Sequence, residues 1–238
     1  MIRLATIEAP VIGEAGKVFS TSPEVAIGED GKTYYIKGRN NATAFSEVVG
    51  CRLAKAVGLL VPVASVCSFN GELYGGVESV PRAQRNIRPW LQQPKRINNI
   101  IDLFSVIAVD TWLANDDRNM GNVVGSSLGN GRIELFMIDF EKSRTLAHNP
   151  FISAGSLDPK KLWPRDELGQ FLRRIQPKRC PEPILERIRR MEQHQISEVV
   201  MPIAAELPFI DWHGASIEVL SRRATNIVRL VEDVWKKN

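Results

Sequence analysis

Residues 24 to 37, "EVAIGEDGKTYYIK", place β-branched and aromatic residues on either side of Asp30-Gly31, a favoured hairpin turn pair. This predicts two strands, the second ending on Lys37. After the polar "GRNNAT" the apolar period becomes helical, with Ala44, Phe45, Val48, Val49, Ala54 and Val57 recurring at helical spacing. Thr43 is read as the cap that starts this helix and Gly58 as the residue that ends it. Glu47 falls near its N-terminal end. "VPVASVCSF", the turn Asn70-Gly71 and "ELYGGVESV" predict a second hairpin. The N-terminal third is thus expected to be a small antiparallel sheet with one inserted helix.

The pattern then changes. "PRAQRNIRPWLQQPKR", residues 81 to 96, holds five basic residues, three prolines and no acid, and reads as a solvated connector. Beyond it Ile100, Ile101, Phe104, Ile107, Ala108 and Trp112 predict a helix apolar enough to belong to the core. "NDDRNMGNVV" follows, then a turn at Asn130-Gly131. The next strand, "RIELFMIDF", carries Ile133, Leu135, Met137 and Asp139 on one face. From Arg165 onward the chain reads as helices, ending in a long amphipathic one from about Ala215 to Trp235. The division expected is 1–80, a connector 81–98, and 99–238.

Composition adds limits. Among 238 residues 44% are apolar and 24% charged, as in ordinary globular proteins. A net charge of +4 suits an anionic ligand but is too small and dispersed to point to direct nucleic-acid binding. Cys51, Cys67 and Cys180 show no CxxC spacing and fit a reducing compartment. His148, His194 and His213 have no zinc-ligand spacing. With neither a signal segment nor an apolar run long enough to span a membrane, the expected location is the cytoplasm.

The polar stretch 115–124 raises the chemical question. Asp117 and Asn122 lie in a loop after a buried helix, and Asp139 ends a buried strand, so the intervening hairpin is expected to bring the three together. Buried carboxylates repel unless a cation lies between them, and Mg²⁺ favours such oxygen donors. Lys37 supplies positive charge from the first sheet, with Glu47 as its partner. A lysine with a glutamate, an aspartate beside an accepting hydroxyl, and an asparagine plus a second aspartate on Mg²⁺ are the parts of a phosphoryl-transfer site using ATP.

"NDDRNMGN" followed by "FMIDFEKS" resembles the catalytic loop and metal strand of HipA-like kinases. "TYYIKG" and "AFSEVVGCRLAKAVGLLVP" are similar to that family's nucleotide-binding strand and the helix and strand after it. The resemblance implies an α+β, two-lobed protein-kinase-like fold, with a small antiparallel-sheet lobe and a mostly helical lobe. It implies a serine/threonine kinase dependent on ATP and Mg²⁺, with Asp117 catalytic and Asn122 and Asp139 on the metal. It also implies a protein substrate and an antitoxin-like regulatory partner.

The chain departs from the family where Asn119 stands in place of a histidine. No glycine follows "DF", and the region that would cover the phosphates, "GEAGKVFSTSPEVA", is poor in glycine. Gly13 and Gly16 are available, and Ser20, Thr21 and Ser22 are candidates for phosphate contact, against an ordinary turn ending at Pro23. Glu78, Ser79 and Val80 are assigned to the hinge whose backbone meets adenine, on their place between the lobes alone. Asp116 is read as solvated, and Asn115 as either a brace for the loop or a helix cap. A nucleotide-binding pseudokinase scaffold and a kinase for lipids or small molecules are the alternative functions.

Overall fold

The computed structural model describes residues 1–10, 23–175 and 180–237. The first strand, β1 (Ile2–Pro10), is followed by the hairpin β2 (Glu24–Gly28) and β3 (Thr33–Lys37), with Gly31 at φ +76° in the turn. Helix α1 (Ala42–Ala56) comes next. Its cap is Asn41, whose side chain accepts the Thr43 N–H at 2.8 Å; the cap therefore lies two residues before the threonine expected to provide it. Gly58, at φ +83°, closes the helix as anticipated, its N–H donating to Lys55.

Strands β4 (Ala64–Phe69) and β5 (Glu72–Glu78) meet at Asn70 and Gly71, both left-handed, as a tight two-residue hairpin requires. The five strands close into a barrel in the order β1-β2-β3-β5-β4. The small antiparallel sheet expected is thus corrected to a closed barrel with one parallel pair. The closing strand β1 pairs antiparallel with β2 and parallel with β4, and long-range parallel pairing leaves no turn signal in sequence. Leu4, Ala26, Tyr34, Ile36, Cys67 and Tyr74 fill the barrel. Helix α1 lies outside it, so close to β5 that a Cβ at Gly75 would come within 2.7 Å of the Ala44 carbonyl oxygen.

The basic stretch carries a two-residue strand, β6 (Ala83–Gln84), and the short helix α2 (Arg88–Leu91). Helix α3 (Asp102–Leu113) is buried on every side from Leu103 onward, although Ile101 just before it is half exposed. Strands β7 (Val123–Gly129) and β8 (Arg132–Met137) pair antiparallel and β6 joins their edge. Six helices follow, α4 (Pro150–Gly155), α5 (Glu167–Ile175), α6 (Glu182–Arg189), α7 (Gln193–Glu206), α8 (His213–Thr225) and α9 (Ile227–Lys236).

The last two replace the single long helix expected. The chain breaks at Asn226, whose side-chain amide donates to the Arg222 carbonyl, a local bond that competes with helix continuation. Ile217, Leu220, Ala224, Ile227, Val231 and Val234 are nevertheless all buried, so the apolar face was read correctly across the break. The three cysteines are free and buried. Among the described residues no helix is long and apolar enough to cross a membrane.

Candidate functional site

The polar stretch is organised around Arg118. Its Nε and Nη2 donate to the two carboxylate oxygens of Asp110 at 2.8 and 3.0 Å, and both side chains are almost entirely buried. Its Nη1 donates to the backbone carbonyls of Asn122 at 3.0 Å and Ile138 at 2.6 Å. The guanidinium also lies over the Phe140 ring, 4.9 Å from its centroid. One buried side chain thus joins the end of α3, the loop and the turn after β8. Asn115 donates to Asp110 and accepts the Asp117 N–H at a long 3.4 Å, so it braces the loop. The left-handed end of α3 is Ala114, at φ +54°.

The turn after β8 carries the key carboxylate in an unusual backbone. Asp139 has φ +66° rather than the extended conformation of a strand end, so it lies past the strand that was expected to hold it. A left-handed non-glycine residue costs about 1–2 kcal/mol, and its neighbours hold it there. The Ile138 N–H donates to the Asn122 carbonyl at 3.1 Å, and the Phe140 N–H donates to Glu47 Oε2 at 3.0 Å. Gly50 makes room for Phe140, since a Cβ at position 50 would lie 2.4 Å from that of Phe140.

Lys37, at the end of β3, reaches this turn. Its Nζ lies 3.0 Å from Asp139 Oδ1 and 3.3 Å from Glu141 Oε2. Burial pulls the Lys37 pKa down, but the carboxylates of Glu47, Asp139 and Glu141 more than offset this and the net shift is upward. Among the described residues no ion pair joins Lys37 to Glu47. The helix glutamate holds the Phe140 backbone instead, while its charge is felt by the lysine. Burial raises the Glu47 carboxyl to about 7, against the pull of Lys37.

The two adjacent aspartates separate cleanly. Asp116 accepts from Arg144 at 2.6 Å, so it is engaged in an ion pair rather than simply solvated. Asp117 is exposed, and its carboxylate accepts no hydrogen bond among the described residues. Burial and then the charge of Asp139 raise its pKa. Asn122 donates its amide N–H to the Asp117 carbonyl at 2.9 Å. Asn119 donates to the same carbonyl at 2.8 Å and accepts the Gly121 N–H, so an amide folds the loop here without an ionisable group.

The other expected site residues are placed as follows. Ser20, Thr21 and Ser22, with Gly13 and Gly16, lie outside the described residues. The Glu78 N–H donates to Val63 and the Ser79 N–H to Thr33, Glu78 pairs with Lys32, and Val80 is buried. Two backbone donors of the proposed hinge are therefore already engaged. Glu141, Arg118 and Asp110 were not singled out from sequence. Asp110 gave the clearest signal, a carboxylate inside a largely apolar helix.

Hard oxygen donors at Glu47, Asp139 and Glu141, within 4.8 Å of one another, fit a divalent cation such as Mg²⁺. Glu141 Oε2 is buried and faces the Lys37 ammonium at 3.3 Å, which balances its charge.

No protein-family model matches the chain, and no curated protein matches it by sequence. Solved structures do share its fold. The Helicobacter pylori proinflammatory kinase CtkA superposes with a TM-score of 0.59 at 14% identity, covering 98% of this chain and 96% of the kinase. HipA of Shewanella oneidensis, solved with HipB and operator DNA, gives a TM-score of 0.52 at 13% identity, covering 86% of this chain and 60% of HipA.

Proposed function

We propose that the chain is a two-lobed, HipA-like kinase that uses ATP and Mg²⁺ and transfers the γ-phosphate to a protein hydroxyl. The observation that carries this reading is the 3.0 Å contact between Lys37, on the barrel, and Asp139, on the turn after β8. It joins the two halves of a phosphoryl-transfer site across 102 residues of chain. The shared fold with CtkA supports it.

In this reading Lys37 binds the phosphates, and Glu47 keeps the Phe140 backbone, and hence Asp139, in position. Asp117 is the open carboxylate that orients the acceptor hydroxyl and takes its proton. Asn122 and Asp139 hold the metal, which neutralises charge developing on the transferred group. With the division 1–80, 81–98 and 99–238, this reading puts the nucleotide between the lobes and adenine against the backbone of 78–80 that the Glu78 and Ser79 N–H bonds leave open. The HipB complex of the Shewanella protein makes a regulatory protein partner a natural extension.

Transfer of label from the γ-phosphate of ATP to protein, in a lysate or to the chain itself, tests the reading. The expected result is Mg²⁺-dependent labelling by the parent that is lost in Asp117→Asn. Tight nucleotide binding without any transfer would favour the scaffold alternative.

A further inference from the structure

A short turn, Met120–Asn122, lies between Asp117 and β7 and ends on Asn122. Two of its three backbone N–H groups are satisfied by the loop itself. That of Gly121 donates to the Asn119 side chain at 2.8 Å, and that of Asn122 to the Asn119 carbonyl at 3.1 Å. The third, on Met120, donates to Oδ2 of Asp166 at 2.5 Å, across 46 residues of chain. Met120 is buried, and a buried backbone donor left without a partner is costly.

Asp166 is itself firmly held. Its Oδ1 accepts the Leu168 N–H at 3.0 Å and its carbonyl accepts the Gln170 N–H at 3.2 Å, so it caps α5. Leu168, Phe171 and Leu172 bury the inner face of that helix. A Cβ at Gly169 would lie 1.7 Å from the Pro164 carbonyl oxygen, so α5 packs directly on the segment before it. Buried Trp163 donates its indole N–H to the Gly169 carbonyl at 3.4 Å. One carboxylate thus gives one oxygen to a packed helix and the other to the loop. Capping needs only the first, and a serine would supply it.

We propose that Asp166 is a positioning residue for phosphoryl transfer, fixing through Met120 the spacing of Asp117 and Asn122. The inference rests on the kinase reading. Arg118 holds the same loop from within, through Asp110 and the Asn122 carbonyl. Asp166 holds it from α5, at a residue between the proton acceptor and the metal ligand. A carboxylate that accepts an N–H makes a short, charge-assisted bond, so it restrains the turn more than a neutral acceptor does. It acts through the Met120 backbone and not on the reacting groups.

Asp166→Ser and Asp166→Ala separate the two roles of the carboxylate. Serine caps α5 but has one oxygen and is too short to reach Met120 as well, and alanine does neither. Asp166→Ala is expected to melt below the parent, and Asp166→Ser to melt above Asp166→Ala. The rate of label transfer from the γ-phosphate of ATP, at saturating ATP and Mg²⁺, is expected to fall about tenfold to a hundredfold in both, the scale on which a misplacement of about 1 Å counts. Exchange of the Met120 amide hydrogen in the nucleotide-free chain is expected to quicken in both, while that of Leu168 quickens only in Asp166→Ala. A role confined to capping predicts that Asp166→Ser restores the rate along with the stability, and that result would overturn the proposal. So would equal Met120 exchange in the parent and Asp166→Ser. Should Asp166→Ala not fold, the parent and Asp166→Ser decide. No transfer by the parent would instead sink the kinase reading, and Met120 exchange would then decide whether Asp166 anchors the loop.

Discussion

Arg118 grips Asp110 through two nitrogens, at 2.8 and 3.0 Å, where neither side chain meets water. The remaining nitrogen of the same guanidinium holds the carbonyl of Ile138, directly before Asp139. A buried charge pair inside the core thus sets the backbone that aims the Asp139 carboxylate.

Arg118→Met is predicted to destabilise the chain by about 3–5 kcal/mol, because Asp110 is left as an unpaired buried charge. Removing both charges, in Asp110→Leu with Arg118→Met, is predicted to recover much of that loss, since the buried pair itself gives little net stability. Denaturant unfolding measures both. A double variant as unstable as the single one would contradict this account of the pair.

Asp117 and Asp116 are adjacent but are predicted to behave differently. Asp117→Ala should lower phosphoryl transfer by about a hundredfold to ten-thousandfold, the usual worth of a positioned base. Asp116→Ala breaks the ion pair with Arg144 and should change the rate by less than about tenfold. Single-turnover rates distinguish the two, and a larger loss in Asp116→Ala would reverse the assignment.

Gly50→Ala is predicted to weaken both stability and nucleotide binding. The new Cβ would lie 2.4 Å from that of Phe140, so the residue after Asp139 must shift. Overpacking of this kind costs roughly 1–3 kcal/mol. A variant with parental melting and parental ATP affinity would show that the turn tolerates the shift.

Glu47 gives a pH dependence whose sign is fixed by burial. Its carboxyl rises from 4.5 in the unfolded chain to about 7 in the fold. The folded chain therefore keeps a proton that the unfolded chain has released. This contribution to stability is complete below pH 4.5 and is lost as the pH rises to about 7. Without divalent cations the melting temperature of the parent should fall across that window, and that of Glu47→Gln should fall less. Parallel curves for the two would contradict the assignment.

Strands, helices and the polar loop were legible because each carries its own local pattern. Asp30-Gly31 and Asn70-Gly71 announce their hairpins, and the spacing from Ala44 to Val57 announces α1. The barrel was not legible, because β1 closes it through a parallel pairing between Ile2 and Cys67 that no turn signals. Within the site, Lys37, Glu47, Asp117, Asn122 and Asp139 stood out as residue types with chemical roles. The second partner of Lys37, Glu141, did not. Glu141 lies beside the lysine after the left-handed turn at Asp139, and outside a recognised turn pair such as Asn70-Gly71 that conformation is not legible. Arg118 was hidden for the opposite reason, since an arginine among polar residues looks solvated until its buried aspartate is located.

The most direct test of the central claim is the melting temperature with ATP, with and without Mg²⁺, for the parent and for Asp139→Asn. A ligand at a hundred times its dissociation constant adds about 2.7 kcal/mol. In a chain of this size that moves the midpoint by about 2–4 °C per kcal/mol. The account predicts a Mg²⁺-dependent rise of several degrees in the parent and its loss in Asp139→Asn. No shift in the parent with any nucleotide would contradict it.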